Sequence, residues 1–93
     1  MKIEGFVPDD NLISQINNLM KSGFEIPTEK LIGSANLVND LGLDSLDAVD
    51  MLVFIEDKFG VRVDGEKMRS LQTMQDVYYL AAEAIGKSAN KVI

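Results

Sequence analysis

Ninety-three residues, 46% hydrophobic and 26% charged, suffice for one small domain spanning residues 1–93 and leave no room for a second core. Neither cysteine nor histidine is present, which removes disulfides, thiol nucleophiles, Ser/His/Asp catalysis and the common zinc sites, and so disfavours an enzyme. The net charge of −6 repels phosphate backbones and anionic membranes and favours partners that display basic patches, so no nucleic acid is expected.

The first ten residues carry neither a long apolar stretch nor arginine-rich, acid-poor character, which predicts a cytoplasmic location. No apolar run approaches the roughly 20 residues of a membrane span. From Asp9 to Lys21 the residues Leu12, Ile13, Ile16, Leu19 and Met20 recur at helical steps, and Ser22-Gly23 is expected to end that helix. Residues 24–43 hold Pro27, Gly33 and Gly42 with no sustained period, which predicts one long ordered loop anchored by Ile26, Leu31, Ile32, Leu37, Val38 and Leu41. A second helix runs from Ser45 to Phe59, with Asp44 as its N-cap and Gly60 as its stop. Val61–Val63 is too short for a useful strand, and Asp64 to Arg69 reads as a short third helix capped by Asp64. Thr73 and Asp76 form a variant capping box for a last helix that ends near Gly86, and the tail from Lys87 to Ile93 is expected to fray. The fold class is therefore all-α, with a core of about 9–86 and flexible termini.

On a wheel of about 100° per residue, Ala48, Met51, Leu52, Ile55 and Phe59 form a core stripe on the second helix. Opposite lie Leu46, Asp50, Val53 and Asp57, flanked by Val49 and Phe54, with Asp47 and Glu56 further round. A surface that mixes apolar and acidic residues reads as a docking face, although scattered exposed apolar residues are also ordinary. Residues 40–60 carry six acids against Lys58, a net −5 of the total −6, so a basic groove would be steered to this surface. First-turn acids that favour the helix dipole account for Asp44 and Asp47 but not for Asp50, Glu56 and Asp57.

Ser45 opens this helix, flanked by acids and preceded by a Gly-containing turn. Serine there often serves only as a cap, and no base is available to activate it. A helix N-terminus does stabilise an anion, so Ser45 is also placed to carry a phosphate group that another enzyme installs.

The run Asp40-Leu41-Gly42-Leu43-Asp44-Ser45-Leu46-Asp47 resembles the phosphopantetheine attachment motif of acyl carrier proteins. The resemblance continues through Val49-Asp50 to Glu56-Asp57-Lys58-Phe59-Gly60, and then through Leu71 to Val77 at the start of the last helix. Asp44 before the serine favours the acyl carrier branch over peptidyl carriers. The resemblance implies a four-helix bundle with a short third helix and a long loop between helices one and two. It also implies 4′-phosphopantetheine, taken from coenzyme A, esterified to Ser45. The arm's thiol then carries acyl intermediates as thioesters to fatty-acid, lipid or polyketide-type enzymes. By the same resemblance, a phosphopantetheinyl transferase recognises Asp44 and Ser45. Leu46, Asp47, Val49, Asp50, Val53, Glu56 and Asp57 form a recognition helix for acyl-loading and acyl-processing enzymes with basic grooves, and Phe54 beside them either enlarges its apolar patch or alters access to the acyl-binding interior between helices. The chain is then a non-catalytic carrier, expected to act as a monomer.

Lys67 and Arg69 make the third-helix segment nearly neutral where fatty-acid carriers are acidic, and both termini exceed the common pattern. Those departures point to a specialised rather than a housekeeping carrier. The alternative is a carrier-like regulatory protein that binds a partner through helix 45–59 with Ser45 never modified. Asp40, Asp44, Asp47 and Asp50 lack the spacing of an EF-hand, so no dedicated metal site is expected. Tyr78 and Tyr79 follow the apolar pattern of the last helix, and at least one of them is expected in the core.

Overall fold

A computed structural model describes residues 7–90 of the chain. Helix α1 (Asp10–Phe24) begins where Asp9 takes extended backbone and its Oδ1 accepts the Leu12 N–H at 2.8 Å. Leu12, Ile16 and Met20 then fall one turn apart on the buried face, and Ile13 and Leu19 pack beside them. The helix does not end at Ser22-Gly23 as the sequence reading expects. Ser22 stays in the helix by donating its hydroxyl to the Asn18 carbonyl, and the left-handed cap is Glu25, at φ 57°, whose N–H reaches Met20 O.

Packing, not termination, explains Gly23. A Cβ at that position would stand 2.7 Å from Phe54 Cε2, so the glycine is the gap into which that ring fits. Phe54 also meets Phe24 edge to face, with ring centroids 5.6 Å apart and planes at 63°. Helix α2 (Ser45–Phe59) is thereby keyed to the C-terminal turn of α1, while its core stripe buries Met51 and Ile55 fully and Ala48, Leu52 and Phe59 in part. Gly60, at φ 65°, ends α2 where the pattern expects it.

Helix α3 (Gly65–Arg69) is capped by Asp64, whose carboxylate accepts the Glu66 N–H, and it inserts Met68 into the core. Helix α4 (Met74–Asn90) opens on the expected box: Thr73 Oγ1 accepts the Asp76 N–H while Asp76 Oδ2 accepts the Thr73 N–H. The helix continues past its expected end near Gly86 to Asn90, and the remainder of the tail expected to fray, residues 91–93, lies outside the described part. A glycine inside a helix costs only about 1 kcal/mol. The preceding turns of this one are held by buried Val77, Tyr78, Leu80, Ala81, Ala82 and Ala84.

Of the two tyrosines, Tyr78 is the core one and Tyr79 is exposed. The Tyr78 hydroxyl donates to Asn17 Oδ1 at 2.6 Å, joining α4 to α1. Burial raises its pKa above the usual phenol value, and the Asn17 hydrogen bond opposes that rise.

The segment between α1 and α2 is ordered, as expected, and holds one 3-10 turn at Thr28–Lys30. Ile26, Leu31 and Leu37 are buried and Leu41 packs against them. Ile32 and Val38 are not anchors: they are 56% and 65% exposed, and Ala35 and Leu43 occupy the core instead. The backbone of this segment follows the start of α4, where Leu37 N–H bonds Gln72 O at 2.8 Å, Met74 N–H bonds Ala35 O at 3.0 Å and Gln75 N–H bonds Gly33 O at 2.9 Å. One antiparallel bridge, Asn36 with Thr73, is the nearest approach to a sheet among the described residues, and the architecture is the all-α four-helix arrangement with a short third helix.

The ring in the Gly23 gap makes a sign prediction. By helix propensity alone, Gly23→Ala would stabilise the chain by about 1 kcal/mol. We expect it instead to destabilise, and to become stabilising once Phe54→Leu vacates the space. Urea unfolding of the four proteins in this cycle measures that reversal, and a Gly23→Ala that stabilises the parent chain contradicts it.

Candidate functional site

The site is built by the end of the loop. Leu43 is buried, and its N–H closes a turn onto Leu37 O at 2.9 Å, with Gly42 supplying the required positive φ of 71°. Asn36 Oδ1 accepts the N–H groups of Val38 and Asn39, and Asp40 Oδ2 accepts that of Asn36, so the turn is tied internally. Asp44 then leaves the core and caps α2 in a reciprocal box: Asp47 N–H to Asp44 Oδ1 at 2.9 Å, and Asp44 N–H to Asp47 Oδ2 at 3.0 Å.

Within this box, two residues after buried Leu43, stands Ser45, exposed at the first helical position, with no hydrogen bond to its side chain among the described residues. Its surroundings combine the positive end of the α2 dipole with an unoccupied hydroxyl on a backbone fixed at both sides. An anionic phosphodiester on that oxygen fits such a place.

Sequence-predicted docking residues divide into two groups. Leu46, Val49 and Val53 are 74%, 59% and 51% exposed, and Asp50 and Asp57 are exposed with them, on the side of α2 away from its core stripe. Phe54 is not brought to that surface, because its ring is taken by Phe24 and Gly23. Glu56 is half-buried, and its Oε2 accepts the Val63 N–H at 2.8 Å, fixing the connection from α2 to α3. Asp44 and Asp47 lie at the N-terminal edge and also hold the helix start. Among the described residues no group of three or more carboxylates converges as a metal site would require.

A cleft of about 980 Å³, whose place and lining the sequence does not give, opens beside Ser45. Leu37, Val38 and Leu43 from the loop, Leu46, Val49, Met51 and Leu52 from α2, and Met68 and Leu71 from α3 and its exit line it, with Asp64, Glu66 and Arg69 along α3. Its walls come from three separate chain segments, so no periodicity in one of them reveals it. The apolar Met68 within an otherwise polar five-residue helix was the only local signal.

The chain is thus an acidic, four-helix domain with an exposed serine at the head of its second helix and an apolar cleft at that serine's side. The family description "Phosphopantetheine attachment site" matches residues 14–80, and the chain belongs to this acyl carrier protein family, whose cofactor is 4′-phosphopantetheine and whose domain is a non-catalytic carrier. It is 32% identical over 68 residues to the acyl carrier protein of Coprothermobacter proteolyticus, covering 73% of this chain and 83% of that one. It is 32% identical over 79 residues to acyl carrier protein 3 of Ralstonia nicotianae, covering 84% of this chain and 91% of the relative. In three dimensions it is similar to the crystal structure of an acyl carrier protein from Thermotoga maritima, with a TM-score of 0.73 at 20% identity over 84% of this chain and 91% of that chain. That last likeness supports the fold.

The division of residues on α2 predicts two kinds of substitution. Asp44→Ala, which removes a cap and half of a reciprocal box, is expected to cost about 1 kcal/mol in urea unfolding. Leu46→Ala, Val53→Ala and Asp50→Asn are expected to stay within about 0.5 kcal/mol of the parent and to keep its far-ultraviolet circular dichroism. A loss of helicity in any of the latter three would mean that this face belongs to the core.

Proposed function

We propose that Ser45 Oγ is the oxygen to which the phosphopantetheine arm is joined, by a transferase that reads Asp44 and Ser45 from the solvent side. The observation that carries this is the position of Ser45: exposed, without a side-chain partner among the described residues, and held inside the Asp44–Asp47 box that follows buried Leu43. When bound, the arm supplies the thiol on which acyl groups travel, a chemistry this chain has no cysteine to perform. The chain's own residues do the rest. The first turn of α2 favours the phosphate's negative charge, and the cleft beside Ser45 offers an apolar acyl chain shelter from water.

Leu46, Val49 and Val53, ringed by Asp47, Asp50 and Asp57, form the surface that acyl-loading and acyl-processing enzymes dock on, through grooves that pair an apolar floor with lysine or arginine at the rim. Glu56 contributes charge at the margin from its half-buried position. Phe54 supports this surface from beneath, through its ring contact with Phe24. We place the chain in the cytoplasm, acting as a monomer. No helix among the described residues is long and apolar enough to cross a membrane.

Intact mass spectrometry after incubation with coenzyme A, magnesium and a promiscuous phosphopantetheinyl transferase tests the assignment. A single phosphopantetheinyl adduct is expected on the parent chain and none on Ser45→Ala. An adduct that persists in Ser45→Ala, or a correctly folded parent that several transferases leave unmodified, overturns it.

A further inference from the structure

Helix α3 is the outer wall of the cleft beside Ser45, which it lines with Asp64, Glu66, Met68 and Arg69 from the helix and its cap. On its far side a second depression of about 620 Å³ separates α3 from α4, and Lys67 and Glu83 stand in it. Leu71 lines both spaces, so α3 and its exit form a partition between them. Five residues are too few for a helix to hold itself, and the position of this wall must come from its tertiary ties.

One tie is the burial of Met68. Another spans the outer depression: Lys67 Nζ meets Glu83 Oε2 at 2.8 Å, joining α3 to α4 across sixteen positions of sequence. The two side chains are 43% and 32% exposed, so salt screens the pair.

We propose that the Lys67–Glu83 ion pair is a positioning device for the cargo. It draws α3 toward α4 and so sets the distance from Met68 to Met51 and Leu52 across the cleft. The role in cargo rests on the carrier reading above; the tie between helices does not. An acidic residue at position 67 would instead repel Glu83. Releasing the tie lets the wall settle onto α2 or fluctuate. Either change removes room from a long acyl chain and leaves a short one, which never reaches Met68, unaffected.

The test uses Lys67→Met, Glu83→Gln and the charge-swapped double variant Lys67→Glu/Glu83→Lys. In the unmodified protein, amide exchange is followed at Met68, Ser70 and Leu71, whose N–H groups bond the carbonyls of Asp64, Lys67 and Met68. Exchange there is expected to rise about two- to five-fold in each single variant, the range that an exposed ion pair supports. It should rise similarly in the parent at high salt, return toward parent values in the swap, and stay unchanged in α1. With Ser45 loaded from acetyl- or decanoyl-coenzyme A, hydroxylamine is expected to cleave the decanoyl thioester several-fold faster in the single variants than in the parent, and the acetyl thioester at the parent rate. Unchanged exchange in α3, or a rise spread evenly over all helices, overturns the tie. Faster exchange with parent-like decanoyl cleavage overturns its role in cargo. A chain that accepts no arm refutes the carrier reading and the cargo role together, while the exchange data still judge the ion pair.

Discussion

The exchange of backbone hydrogen bonds between the long loop and the start of α4 holds the rest of the structure in place. A helix begins with N–H groups that have no partner within it, and here the carbonyls of Gly33 and Ala35 accept two of them, from Gln75 and Met74. In return Gln72 O accepts the Leu37 N–H, so neither segment is satisfied without the other. From that junction the chain has only the turn from Leu37 to Leu43 before Asp44 must cap α2. The position of Ser45 is thus referred, through a few tightly bonded residues, to the most buried helix of the bundle. A loop that lacks periodicity is as firmly specified as the helices because its polar groups, not its apolar spacing, are matched to a partner.

Local chemistry was legible and tertiary context was not. Asp44, Asp64 and the Thr73–Asp76 pair each cap the helix that their sequence neighbourhood indicates, because a cap involves only residues within one turn. Gly23 was misread because the property that matters, a missing Cβ, serves a ring thirty-one positions away on another helix. The same pair explains Phe54, which the helical wheel places on a flank and the Phe24 ring draws inward. Ile32 and Val38 are as apolar as their buried neighbours, and their exposure is set by the tertiary course of the loop, which its hydrogen bonds to the start of α4 help fix. The place of Ser45 at the head of α2 and the exposure of Leu46, Val49 and Val53 follow from one helix and its cap. The cleft does not, since it exists only where three segments meet.

Within the site, single residues serve the fold and the surface at once. Asp44 and Asp47 hold each other's backbone at the head of α2 while adding to the negative field around Ser45. Met51 belongs to the core cluster and also lines the cleft, so cargo that enters meets side chains already fixed by packing. Met51 and Met68 bring flexible, polarizable thioethers to facing walls, a lining that adapts to acyl groups of differing shape. The domain is a non-catalytic carrier of the acyl carrier protein family, and it holds neither histidine nor cysteine of its own.

The central claim is that cargo on Ser45 folds back into the cleft between α2 and α3. Amide and methyl chemical shifts of the chain loaded with decanoyl-phosphopantetheine, compared with the acetyl-loaded form, test it most directly. The account predicts changes concentrated at Met51, Leu52, Met68 and Leu71. Changes confined to the outer residues Asp50 and Val53, or located at the opposite end around Leu12, Phe59 and Ile85, would contradict it.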